Sequence, residues 1–207
     1  MASDPFTSDN QSPPQSGEES GPGIALAAVL HSGEQAGDRL LTAIARGLVG
    51  RGVRVGGVIQ SNPIRAGQCR CDMVLEELTG GAIIPISQNL GPHARGCRLD
   101  PVALEHVVGL VEASLDKPLD ILILNKFGKQ EAEGKGLRNA IALALEAGIP
   151  VLVGLNRANT AAWSEFSAGA GRTLQSDEAE IAAWLAKSLA TMRVTTGAAR
   201  LAPAAPG

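Results

Sequence analysis

Ser32-Gly33-Glu34-Gln35-Ala36-Gly37-Asp38-Arg39 follows the first apolar run of the chain and stands where a loop could hold a phosphate. A triphosphate loop of this kind needs a Gly, four residues and then Gly-Lys-Ser/Thr, because the Lys meets the outer phosphates and the hydroxyl binds magnesium. Here Ser32 takes the first Gly position, Gly37 matches the second, Asp38 replaces the Lys and Arg39 replaces the hydroxyl. A carboxylate at position 38 opposes a phosphate, since like charges in contact cost free energy. Backbone N–H groups at a helix start attract anions whatever the side chains are. Asp38 suits equally well an ordinary strand-to-helix turn in which it caps the helix.

The run Leu122-Ile123-Leu124 ends in Asn125-Lys126-Phe127-Gly128-Lys129, where a nucleoside-triphosphatase carries the acid that holds magnesium. A Lys is thus missing from one loop and present on another, and the acid makes the reverse exchange. Two readings follow: an Asp38–Lys126 ion pair closes the old site, or Lys126 and Lys129 neutralise an anion that arrives without a metal. A third loop, Ser87 to Asp100, concentrates His93, Arg95, Cys97 and Arg98 before a helix start, and could form an oxyanion cradle or be a plain connector. Cys69, Cys71, His93 and Cys97 are a weak alternative set of zinc ligands, because Cys-x-Cys is shorter than the usual spacing.

These loops need a scaffold. Four apolar runs, 24–30, 53–59, 119–125 and 150–155, have the length of buried strands. Helical stripes lie between them: Leu41, Ile44, Ala45 and Leu48; Leu104, Val107, Val108, Val111 and Leu115, opened by Asp100 and Pro101; Leu137, Ile141, Ala144 and Leu145, ending at Gly148; and Ile181, Trp184 and Leu185, opened by Ser176. The alternation predicts a three-layer α/β fold with a mostly parallel sheet, and ligands at the carboxyl ends of its strands. Asp72 to Leu78 and Ala82 to Ile86, joined by Thr79-Gly80-Gly81, predict an inserted β-hairpin beside that sheet. Residues 1–23 and 193–207 have the composition of disordered tails, leaving one domain at 24–192.

Composition narrows the function. Of 207 residues, 2% are aromatic and none is Tyr, which removes the stacking platforms of single-stranded nucleic-acid binders. Outside residues 1–23 the chain has 17 acids against 18 bases, no basic footprint for nucleic acid or an anionic membrane. No apolar run reaches the roughly 18 residues of a spanning helix, and an odd number of cysteines argues against a secreted disulfide framework. A cytoplasmic protein is expected.

Cys71-Asp72-Met73, Ile86-Ser87-Gln88, Gly96-Cys97-Arg98-Leu99-Asp100-Pro101, Asn125-Lys126-Phe127-Gly128-Lys129-Gln130-Glu131-Ala132-Glu133-Gly134 and Gly148-Ile149-Pro150-Val151-Leu152 resemble a bacterial family of uncharacterised, P-loop-like proteins often encoded beside molybdate or other ABC-transporter genes. More remotely the chain is similar to small thermophile-type nucleoside-triphosphatases, which read Asp-Glu-Ile-Gly-Lys at the Asn125 stretch. The resemblance implies a P-loop NTPase-like fold and a role around molybdate or a similar oxyanion, with an ABC-transporter or molybdoenzyme-related protein as partner. Asp38, Arg39, Asn125 and Lys126 depart from the hydrolytic pattern, so magnesium-dependent NTP hydrolysis is not expected. The expected ligand is molybdate or a nucleotide phosphate, held by Ser32, Gly33, Gly37, Asp38, Arg39, Ser87, Arg95, Cys97, Arg98, Asn125, Lys126 and Lys129. An active triphosphatase with a displaced Lys and a ligand-free interaction module are the rival readings.

Overall fold

The computed structural model describes residues 25–61, 73–88 and 99–201. Arg95, Cys97 and Arg98, the four candidate zinc ligands and the N-terminal segment 1–23 lie outside these residues.

The four apolar runs form β1 (Leu26–His31), β2 (Val55–Ser61), β5 (Ile121–Phe127) and β6 (Val151–Asn156), each followed by a helix or hairpin. Together with β3 (Val74–Glu77), β4 (Ile83–Pro85) and β7 (Arg172–Leu174) they make one seven-stranded sheet in the order β4-β3-β2-β5-β6-β1-β7. All neighbours from β2 to β7 run parallel, and β3 and β4 are antiparallel. This is an α/β protein of P-loop NTPase-like fold.

Strand alternation divides the core between the two faces. Ala27, Val29, Ile121, Ile123 and Leu152 pack under α1 (Glu34–Val49) and α6 (Glu178–Leu201), against Leu41, Ala45, Leu48, Trp184 and Leu185. Ala28, Leu122, Leu124, Val151 and Val153 face α2 (Pro101–Ser114), α4 (Arg138–Glu146) and α5 (Thr160–Ser167). The side chain of Asp100 accepts the N–H groups of Val102 and Ala103 (3.0 and 3.2 Å) and Pro101 opens α2, as its sequence predicts. At the amino edge Asp120 accepts the Arg54 backbone N–H and Nε (2.8 and 3.0 Å), and this hydrogen bond raises the guanidinium pKa above its ordinary value.

Three features differ from expectation. The hairpin is not beside the sheet: β3 pairs with β2, so its polar edge is satisfied by extending the main sheet. Helix α6 continues past residue 192 to Leu201, because no proline interrupts the chain before Pro203. Strand β7, of which only Leu174 is buried, and helix α5 have no run or stripe long enough to announce them.

Candidate functional site

The carboxyl ends of the parallel strands carry His31, Ser61, Phe127, Asn156 and Leu174, and helix α1 starts directly above them. Only Ser32 and Gly33 separate β1 from α1; Glu34, Gln35 and Ala36 are already helical. Gly33 has a φ of 95°, a backbone state that glycine adopts without strain. The Gly37 N–H donates to the Gly33 carbonyl at 3.3 Å, so residues 34–37 are wound into the first turn of the helix.

His31, buried at the tip of β1, donates from Nδ1 to the same Gly33 carbonyl at 3.0 Å. Its ring lies against Gly37: a Cβ there would stand 2.5 Å from Nε2. A side chain at position 37 would force the imidazole to move, which gives Gly37 a packing reason independent of any ligand.

Asp38 and Asn125 meet under this turn. Asn125, 3% exposed, donates from Nδ2 to Asp38 Oδ1 at 2.7 Å, and its Oδ1 accepts the Gln60 backbone N–H at 3.1 Å. One amide thus joins β5, β2 and α1. Alternation turns Asn125 to the α1 face along with Ile121 and Ile123, and the register shift between Leu124 and Phe127 in the pairing of β5 with β6 then puts Phe127 in the other core with Leu122 and Leu124. Gly154 on β6 permits the approach, since a Cβ there would overlap the Asn125 carbonyl oxygen.

The residue types at 38 and 125 depend on one another. An acid at 125 would place a second carboxylate against Asp38, and two carboxylates in contact cannot both ionise. Asn125→Asp is expected to destabilise the fold by about 1–3 kcal/mol at pH 7. One carboxyl of the variant pair has a raised pKa in the folded state, so the deficit should grow as pH rises from about 4 to 7. Urea denaturation at both pH values reads this; a deficit independent of pH would contradict the pairing.

Asp38 is bonded to Asn125 and makes no ion pair with Lys126, which removes the closure of the site by that pair. Lys126 is half-buried and makes no ion pair with any described residue. Lys129, 81% exposed in its side chain, faces Glu133 at 3.6 Å one helical turn on. Ser87 accepts the Met73 N–H at 3.2 Å and bridges to Leu99, which ties the hairpin to α2 on the far side of β3 and β2 from Asn125. A cavity of about 470 Å3 lies between α1 and the end of β2, with Gln35, Asp38, Arg39, Thr42, Gln60 and Ser61 in its wall. Of the expected site residues Asp38 and Arg39 line it, whereas Ser87, Lys126 and Lys129 do not.

His31, Gln60 and Gly154 were not among the expected site residues. Their only signal is position: each ends, or lies within, an apolar run, and the sequence does not say which run ends are neighbours.

The fold is that of a P-loop NTPase-like α/β protein, and its strand-end network joins Asp38 of α1 to Asn125 of β5. The chain belongs to the family described as "Protein of unknown function (DUF2478)", whose model matches residues 26–184. It is 38% identical over 159 residues to "Molybdenum import ATP-binding protein ModC 2" of Bradyrhizobium diazoefficiens, a match that covers 77% of this chain and 18% of that relative. The chain thus spans less than a fifth of the length of the curated relative it matches. No solved structure matches it. Among the described residues no helix is long and apolar enough to cross a membrane.

Proposed function

We propose that this chain is a non-hydrolysing, anion-binding domain that works beside molybdate import or use. The observation that carries the reading is the buried Asp38–Asn125 hydrogen bond. It occupies the two positions from which a triphosphatase would contact outer phosphates and magnesium, and it fills them with groups that satisfy one another. A metal-bound triphosphate meets no Lys at position 38 and no acid at position 125, and the one carboxylate present, Asp38, is bonded to Asn125. Cationic and N–H donors persist at the same edge, in Lys126, Arg39 and the start of α1, and suit an anion that needs no metal.

The link to molybdate rests on the relative named for molybdenum import, of which the matching segment is a minor part. A segment carried within a longer import protein suits an accessory role: sensing the transported oxyanion, or a nucleotide phosphate, without turning it over. Expected ligands are molybdate, tungstate, sulfate or phosphate, with an ABC-transporter or molybdoenzyme-related protein as partner in the cytoplasm.

A thermal-shift panel of these oxyanions and of ATP and GTP, each with and without magnesium, tests the reading. A ligand at a hundred times its Kd should raise the midpoint by roughly 5–10 °C, and magnesium should add nothing. Single-turnover phosphate release from ATP that disappears in Lys126→Ala would establish the triphosphatase instead. A panel without any shift would leave an interaction module.

A further inference from the structure

We propose that Arg157 is a second cation of this anion site, and that with Lys126 it takes a doubly charged tetrahedral oxyanion at the tips of β5, β6 and β1. The inference rests on the anion-binding reading above and names the groups that carry it out.

Strand β6 lies between β5 and β1, with Leu155 opposite Phe127 and Asn156 opposite His31. Arg157 is the first residue beyond β6, Ser32 the first beyond β1, and Lys126 the penultimate residue of β5. Neighbouring strands stand about 4.8 Å apart, so three adjacent tips span about 10 Å, a width that two long basic side chains can close around one ion.

The turn that carries Arg157 is held at three points. Asn156 Oδ1 accepts the Ala158 N–H (3.0 Å), Thr160 Oγ1 donates to the Arg157 carbonyl (2.8 Å), and Asn159 Nδ2 donates to the Phe127 carbonyl (3.2 Å). The last bond fastens the turn to the end of the strand that bears Lys126. Backbone order is therefore in place before a ligand arrives, and little beyond the guanidinium itself must be immobilised.

Charge favours an anion at this spot. Three carboxylates of the surrounding segments are engaged: Asp38 by Asn125, Glu131 by the N–H groups of Gly128 and Leu137, and Glu133 by Lys129. Arg46 and Arg54 are likewise matched, by Glu76 and Asp120. Among the described residues neither Lys126 nor Arg157 has an ion-pair partner. A guanidinium offers two parallel donors to a tetrahedral oxyanion and an ammonium adds a point charge, so the pair neutralises a dianion without a metal.

Calorimetric titration of the full chain with molybdate, sulfate and phosphate, and separately with magnesium-free ATP, tests this. Arg157→Ala should weaken binding at least about tenfold, and the arm in which the loss occurs shows whether the oxyanion is free or the end of a nucleotide. Arg157→Lys, which keeps charge but not the paired donors, should fall between. Arg172→Ala, exposed on β7, should bind as the parent does. Undiminished binding in Arg157→Ala would overturn the inference while leaving the anion-binding reading intact; a parent chain that binds none of the probes would overturn both.

Discussion

Gly57→Ala should destabilise the chain by more than about 4 kcal/mol, a large share of a total stability of typically 5–15 kcal/mol. Gly57 sits in the middle of β2, opposite Ile123 of β5, with a φ of 101°. A Cβ there would overlap the Ile123 carbonyl oxygen and stand 2.9 and 3.0 Å from its carbonyl carbon and nitrogen. All three atoms are backbone of the central strand, so relief requires β2 and β5 to separate and to give up their ladder. The β5 edge also carries the Gln60 N–H to Asn125 bond, and on the other edge of β2 the Leu78 N–H to Gly57 carbonyl bond (2.9 Å) joins the hairpin. Gly81→Ala separates the two contributions: its φ is 73°, yet a Cβ would meet nothing within 4 Å. That variant should lose only the roughly 1–2 kcal/mol of left-handed strain. Equal melting of the two variants by circular dichroism would contradict the close approach of β2 to β5.

Glu131→Ala should cost about 3 kcal/mol, and the damage should concentrate between β5 and α4. Glu131 lies in the one-turn helix α3 (Lys129–Ala132) and is 6% exposed. Its Oε2 accepts the Gly128 N–H at 2.9 Å and its Oε1 accepts the Leu137 N–H at 3.1 Å, so one carboxylate closes the whole loop from the end of β5 to the start of α4. Gly136, at φ 58°, lets the chain pass over it, since a Cβ there would stand 2.5 Å from Oε1. Removing the carboxylate strands two N–H groups, one of them buried, each worth about 1–3 kcal/mol. Glu131→Gln should be intermediate, because the amide keeps one acceptor and turns a donor toward the other N–H. Hydrogen exchange at Gly128 and Leu137 should speed up well before the core exchanges. Uniform protection across the variant would refute the local role.

The same segment shows how far the sequence could be read. Asn125-Lys126-Phe127-Gly128-Lys129 is conspicuous because polar residues end an apolar run, and Asn125 does belong to a strand-end network. Alternation from Ile121 and Ile123 gives the face of Asn125, but which residue it meets there depends on the helix and strand that lie alongside β5, and the bulge that displaces Phe127 is invisible to alternation. Lys129 looked like a ligand-facing cation from its place in the motif, yet α3 begins at Lys129 and brings Glu133 within reach. Arg157 had no motif at all. The hairpin was readable from Thr79-Gly80-Gly81, whereas its attachment to β2 depends on pairing across the edge of a sheet that local pattern does not describe.

By itself the amino-acid order determined the α/β class, the four buried strands, and the caps of α2 and α4. Those features follow from runs, stripes and residue types within a few positions of one another, where hydrophobic burial and capping act locally. Only the tertiary structure decided that β6 enters between β5 and β1, that Asp38 rests on Asn125, and that Arg157 stands at the tip next to Ser32. Those outcomes depend on which crossover carries each strand to its place in the sheet, a choice made by the packing of both faces at once rather than by any segment alone.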